Sequence, residues 1–221
     1  MRNAIAFSIR PWCLSTALLV LATGCSSLPK PPPMVDRYDL GPPLAMQSPV
    51  AAQAPIALAA MQAPIAMEGQ TVVRYRLAYA DAQVLHAYRQ ARWSLPPAQI
   101  VQQRLREHLG QSGRAVLSAE AGELPPTVQG HQVPVLRMAL EEFSHVFTTA
   151  QDSAAWVRVR ATLVDPAPQG DQLLAQQVFE VKQPATAPNA SAGVQAMAQA
   201  VDRIGQQMQP WLHSAMPPAT K

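Results

Sequence analysis

With 221 residues, 48% of them hydrophobic and 14% charged, the chain is sized for one domain with a core of its own. A formal net charge of +3, only 5% aromatics and no run of basic residues exclude the electrostatic footprint of a nucleic-acid binder. Two cysteines, Cys13 and Cys25, exclude a disulfide-built scaffold.

The N-terminus has three parts. Arg2 and Arg10 give a positive start, and Cys13–Ala22 (CLSTALLVLA) is apolar but about half the length needed to cross a bilayer. Thr23 and Gly24 are small enough for a peptidase to cut after them. This order predicts a signal peptide over residues 1–24, cleaved between Gly24 and Cys25. The stretch ATGC resembles the lipobox of bacterial lipoproteins, with Ala22 where leucine is commoner. That resemblance implies that Cys25 becomes the lipidated first residue of the mature protein. Cys13 would leave with the signal, so the remaining cysteine has no partner for a disulfide or a thiolate zinc site. Several acyl chains, at about 0.8 kcal/mol per buried methylene, make such an anchor effectively permanent. Ser26 is not the Asp that retains such lipoproteins in the inner membrane, so the resemblance implies the outer one.

Residues 25–55 read as a lipidated start and a Pro/Ala-rich tether. Pro31–Pro33 favour polyproline II, at about 3.1 Å per residue, so the stretch from Cys25 to Arg37 reaches roughly 30–40 Å. The folded domain is expected over residues 56–213, with a disordered tail at 214–221. QAPIA occurs at Gln53–Ala57 and again at Gln62–Ala66. Two copies are too few for a repeat architecture, and the second is read as the approach to a strand.

Thr71–Tyr79 (TVVRYRLAY) alternates, with Val73, Tyr75, Leu77 and Tyr79 on one face and Arg74 and Arg76 on the other, as in a half-buried strand. Val84–Trp93 has a period compatible with a strand or a helix. Pro97 suits the first turn of a helix whose Ile100, Val101, Leu105 and Leu109 recur at helical spacing until Gly110 and Gly113. Ala115–Ser118 reads as a short buried strand, followed by a long loop. Val135–Phe147 places Leu136, Met138 and Leu140 on one face. Trp156–Val164 sets Val157, Val159, Ala161 and Leu163 opposite Arg158 and Arg160, and Leu173–Val181 alternates more weakly. The turn residues between the last two predict a hairpin. A last helix follows, with Val194, Met197, Val201, Ile204, Met208 and Trp211 in one stripe and Asn189 or Ser191 as its cap. The fold class is therefore α/β (α+β): a small, mostly antiparallel or mixed sheet with helices packed on one face.

Three segments in order carry a resemblance: Arg92–Trp93 with Pro96–Pro97, then LRMALEEFSHVF and WVRVRATLVDP, then QVFEVKQPA followed by VQAMAQAVDRIGQQMQPW. From about Arg37 to Leu212 they resemble the ABC-type transport auxiliary lipoproteins. The resemblance implies an outer-membrane, lipid-anchored accessory subunit. Its partner would be a periplasm-spanning MCE-domain protein, with an inner-membrane permease and ATPase acting indirectly. Such systems move phospholipid or other hydrophobic molecules, and the resemblance implies that this subunit docks or caps the conduit, with a homo-oligomeric ring as the matching assembly. Two other readings stay open: structural support of another envelope assembly (lipopolysaccharide or secretion machinery), and a lipid carrier with an internal apolar cavity.

Chemistry finds little footing. No cofactor is implied, since phosphate-cradling glycine loops are missing from the sequence. No GxSxG elbow occurs, and EEFSH is not a metal motif, because strand alternation points Glu142 and His145 to opposite faces. The protein is read as a binder, not an enzyme. Arg74, Arg76, Arg158 and Arg160 are the candidate partner-docking residues, against the plainer reading of a solvated sheet face. Trp93 and Trp211 are read as core rather than interface anchors, and the last helix's methionines as core rather than a lipid groove.

Overall fold

The computed structural model describes residues 34–45, 53–111, 113–167 and 169–216. Cys25, the cleavage boundary and residues 217–221 of the expected tail lie outside them, whereas Ser214 and Ala215, also expected in the tail, belong to the last helix. In order the elements are β1 (Asp36–Tyr38), β2 (Ile56–Ala59), β3 (Val72–Leu77), β4 (Asp81–Trp93), α1 (Pro97–Gly110), β5 (Val116–Ala119), β6 (Thr127–Val128), β7 (His131–Gln132), β8 (Val135–Phe147), β9 (Ser153–Asp165), β10 (Gln172–Pro184) and α2 (Ala190–Ala215).

β8 is the axis of the sheet. One of its edges pairs antiparallel with β9 along its whole length, and β10 pairs antiparallel with β9 beyond it. The other edge is shared. β2 runs parallel to its start through Ala57 and Leu58, and β3 parallel to its end through Tyr75–Leu77. Between them a single bridge joins Gln62 to Ala139. β5 extends the first branch parallel to β2; β4 and then β1 extend the second. The sheet is thus mixed, as expected, and both helices pack on one face of it.

The inner face follows from alternation. On β9, Val157, Val159, Ala161 and Leu163 are fully buried, while Arg158 and Arg160 point away. On β8, Leu136, Met138 and Leu140 face inward until a register shift between Leu140 and Glu142. That bulge adds one residue, so the inward set continues as Phe143, His145 and Phe147 rather than 142, 144 and 146. Glu142 and His145 do lie on opposite faces. α1 starts at Pro97 and buries Ile100, Val101, Leu105 and Leu109. α2 is capped by Asn189, whose Oδ1 accepts from the Ala192 amide at 2.9 Å. Its stripe of Val194, Met197, Val201, Ile204 and Met208 fills the space over the sheet. Trp93 is core, stacked at a tilt on Phe143, and Trp211 is half-buried, edge-on to Phe179.

Several local expectations change. Residues 36–38, in the stretch read as tether, form β1 beside β4. The first QAPIA copy, not the second, runs into a strand; the second supplies only the Gln62 bridge. β3 ends at Leu77, so Tyr79 sits in the turn and is exposed. The 84–93 stretch is strand throughout, β5 is half-exposed because it is an edge, and the loop after it holds the β6–β7 hairpin. That hairpin turns through Gln129 and Gly130, both at positive φ.

α2 approaches its neighbours closely at two glycines. A Cβ on Gly193 would fall inside the imidazole of His145, and one on Gly205 inside that of His108. Alanine is the better helix former by about 1 kcal/mol, yet overpacking costs typically about 1–3 kcal/mol. Gly193→Ala is therefore expected to lower stability in urea unfolding, and to raise it in a His145→Ala background where the space is free. A stabilising Gly193→Ala in the wild-type chain would refute the close contact.

Candidate docking surfaces

The face of the sheet opposite the helices carries the arginines. Arg158 Nε donates to Glu141 Oε2 at 2.8 Å, and Arg160 Nε to Glu141 Oε1 at 2.7 Å. Arg158 also reaches Glu180 on β10 at 3.2 Å, and Arg76 on β3 donates to Glu142 at 2.9 Å. Cross-strand register puts Arg158 opposite both Glu142 and Glu180, so these residues form one continuous strip across β3, β8, β9 and β10. Burial pushes the Glu141 carboxyl up, but hydrogen bonds from Arg160 and Arg158 outweigh it and hold the group below the usual carboxylate range. Arg74 stands apart, donating to the Ala66 carbonyl at 2.6 Å. Three of the four predicted arginines are thus brought together; one is not.

The same strip contains residues that the sequence reading did not single out as site residues. Trp156 donates its Nε1–H to Glu180 at 3.2 Å, and the Lys182 ammonium lies 4.9 Å from its ring centroid. Exposure differs along the strip. The Arg76 and Glu142 side chains are 19% and 11% exposed, Arg158 and Arg160 38% and 39%. The outer two can be shared with a partner; the inner pair is built into the sheet. The signal available in the sequence was the like spacing of acidic and basic residues on consecutive strands.

A second charged cluster ties the helices together. Arg104 on α1 holds Asp202 on α2 through Nε at 2.6 Å and Nη2 at 3.1 Å, and His108 Nε2 lies 2.9 Å from the same carboxylate. Arg104 Nη1 also donates to the Pro42 carbonyl at 2.7 Å, while Glu107 accepts from the Leu44 amide at 3.1 Å. A His–Asp pair serves catalysis when the other imidazole nitrogen meets a nucleophile. Here the buried His108 Nδ1 meets no hydrogen-bond partner among the described residues, and the cluster instead fastens the segment around Pro42–Leu44 to α1. Among the described residues no three His, Cys, Asp or Glu side chains cluster as metal ligands. Nor is any helix there long and apolar enough to cross a membrane.

The fold is thus a mixed sheet with helices on one face and an ion-pair strip on the other. The chain belongs to the family of ABC-type transport auxiliary lipoprotein components, which it matches over residues 38–209. That is a family of transport accessories, not of enzymes. The crystal structure of protein XCC0632 from Xanthomonas campestris has a similar fold, with a TM-score of 0.63 at 16% identity over 81% of this chain and 96% of that one. A second crystal structure, of an uncharacterized protein, has a TM-score of 0.61 at 14% identity over 81% and 99%. No curated protein matches the chain.

Proposed function

We propose that this chain is the outer-membrane accessory subunit of a trans-envelope MCE/ABC-type system moving phospholipid or another hydrophobic molecule. It would be anchored through Cys25 on the periplasmic face and would dock or cap the far end of the conduit. The observation that carries the reading is membership of the transport-auxiliary lipoprotein family, joined to a sheet face that the chain's own helices leave uncovered. The Arg158 and Arg160 guanidiniums at the exposed part of that face are the residues assigned to the MCE-domain partner; a permease and ATPase would be reached only through it. A filled core beneath α2 argues for docking over carriage of lipid inside the domain.

The test is a pull-down of the tagged, lipidated protein from detergent-solubilised envelopes, with Cys25→Ala as the unanchored control. An MCE-domain protein is expected among the recovered chains. Arg158→Ala with Arg160→Ala should reduce that recovery roughly tenfold while changing stability by less than about 1 kcal/mol, because exposed ion pairs contribute little. Recovery of only lipopolysaccharide or secretion machinery would overturn the transport reading in favour of structural support for that assembly.

A further inference from the structure

The end of the sheet where β2 and β5 stop and α1 starts holds a groove of about 830 Å³, within the size range of ligand pockets. It is walled by the loop after β2 and the loop after β5. Its lining includes Met61, Met67 and Met138, all buried. Unbranched, polarizable thioethers adapt to varied apolar shapes, which suits a surface that must accept side chains. The loops that wall it also carry Ile65 and Leu124, 88% and 91% exposed, among the most exposed large hydrophobic residues of the described chain.

The floor is preformed. Gln102 on α1 accepts from the Met61 amide at 2.7 Å and donates to the Ala59 carbonyl at 3.3 Å. On the other side Gln62 exchanges backbone hydrogen bonds with Met138 and Leu140 of β8, at 2.9 and 2.8 Å. The loop after β2 is therefore pinned to both layers at the point where it passes the groove.

The unpaired charges that line the groove have one sign. Glu68, Glu120 and Glu123 line the groove and are exposed, and among the described residues no basic side chain pairs with them. The lining arginine, Arg137, is taken by Asp171. An acidic rim in a chain of formal net charge +3 selects its occupant. A phospholipid head or a free anion would meet like charge; a cationic segment would meet opposite charge.

We propose that this groove is a second docking site, taking a segment of a partner protein that presents apolar side chains flanked by lysine or arginine. The proposal deepens the docking reading above and rests on it only in that the chain acts by binding protein. The methionines from Met34 onward provide the readout. The chain from residue 25 onward, carrying Cys25→Ser and labelled with 13C at the methionine methyls, would be titrated with a short amphipathic Leu/Lys peptide. A Leu/Glu peptide of the same pattern and vesicles of phosphatidylglycerol would be titrated in parallel. The Leu/Lys peptide is expected to move the methyls of Met61, Met67 and Met138 and to leave those of Met197 and Met208 in place. Glu68→Lys with Glu123→Lys should weaken its binding at least roughly tenfold. Groove methyls that stay still, that respond equally to the Leu/Glu peptide or the vesicles, or whose response survives the charge reversal would overturn the proposal. Failure of the envelope pull-down with an intact groove titration would remove the transport assignment and leave this one standing.

Discussion

Asp202→Ala is expected to cost about 3 kcal/mol of folding stability, read as a lowered urea midpoint at unchanged slope. The carboxylate is the shared acceptor of two side chains that are far more buried than it is: Arg104, 10% exposed, and His108, 4% exposed, against 27% for Asp202. Removing it leaves the Arg104 charge with the Pro42 carbonyl and the longer contact to Glu107 at 3.4 Å. A buried guanidinium that has lost its two shortest carboxylate contacts is the costly product, so Asp202→Asn, which keeps an acceptor oxygen, should lose less. The effect also has a direction in pH. Burial pushes the Asp202 carboxyl up, but the hydrogen bonds from His108 and Arg104 and their charges outweigh it, so the group titrates below its ordinary range. Its contribution is present above the unfolded value and is lost as pH falls through the folded one. The difference between wild type and Asp202→Ala should therefore shrink in acid. A loss under about 1 kcal/mol at neutral pH would mean that the cluster is ornamental to stability. Faster hydrogen exchange at the Leu44 amide should accompany the loss, because Glu107, which accepts from that amide, is tied to the cluster through Arg104, which also holds Pro42.

Acid should also destabilise the protein through His145. Its ring is fully buried on the inner face, with Nδ1 2.9 Å from the Tyr88 hydroxyl and Nε2 without a partner among the described residues. Burial lowers its pKa from 6.5 to about 4. Between those values the unfolded chain binds a proton that the folded one refuses, so stability falls as pH drops from about 6.5 to about 4. At about 1.4 kcal/mol per pH unit, the full window is worth about 3 kcal/mol. Urea midpoints across this range should slope downward in the wild type and flatten in His145→Gln. Asp202 and Glu141, both held below the carboxylate range, add their own losses only near the lower end. Equal slopes in wild type and variant would show that the buried ring is not the source.

What could be read in advance was whatever a single element specifies by itself. The strict alternation of Val157, Val159, Ala161 and Leu163, the stripe from Val194 to Met208, Pro97 at a helix start and Asn189 at a cap all depend on local period and local chemistry. What escaped depends on register between elements. The bulge at Glu141 turns the end of β8 so that Phe143 and His145 point inward, and nothing within VLRMALEEFSHVF marks where β9 will skip a residue. The partners of the arginines were hidden for the same reason. Glu141 and Glu142 meet Arg158, Arg160 and Arg76 only once β3, β8 and β9 are set side by side. Short parallel pieces such as β1 and β2 have too few residues to show a period. The methionine groove assembles loops near residues 60–69 and 119–125 with β8, which no window of sequence contains.

The shared edge of β8 bears on the order in which the protein can be made. β2 and β3 precede β8 by some sixty to eighty residues, yet both need it as a parallel neighbour. β8, β9, β10 and α2 are by contrast consecutive and joined by short connections, so their contacts close small loops. A chain made from its N-terminus thus delivers its dependent strands first and their template last. Synthesis of β8 must come before β2 and β3 can settle, so a C-terminal truncation that reaches β8 removes the template of the whole sheet rather than one strand.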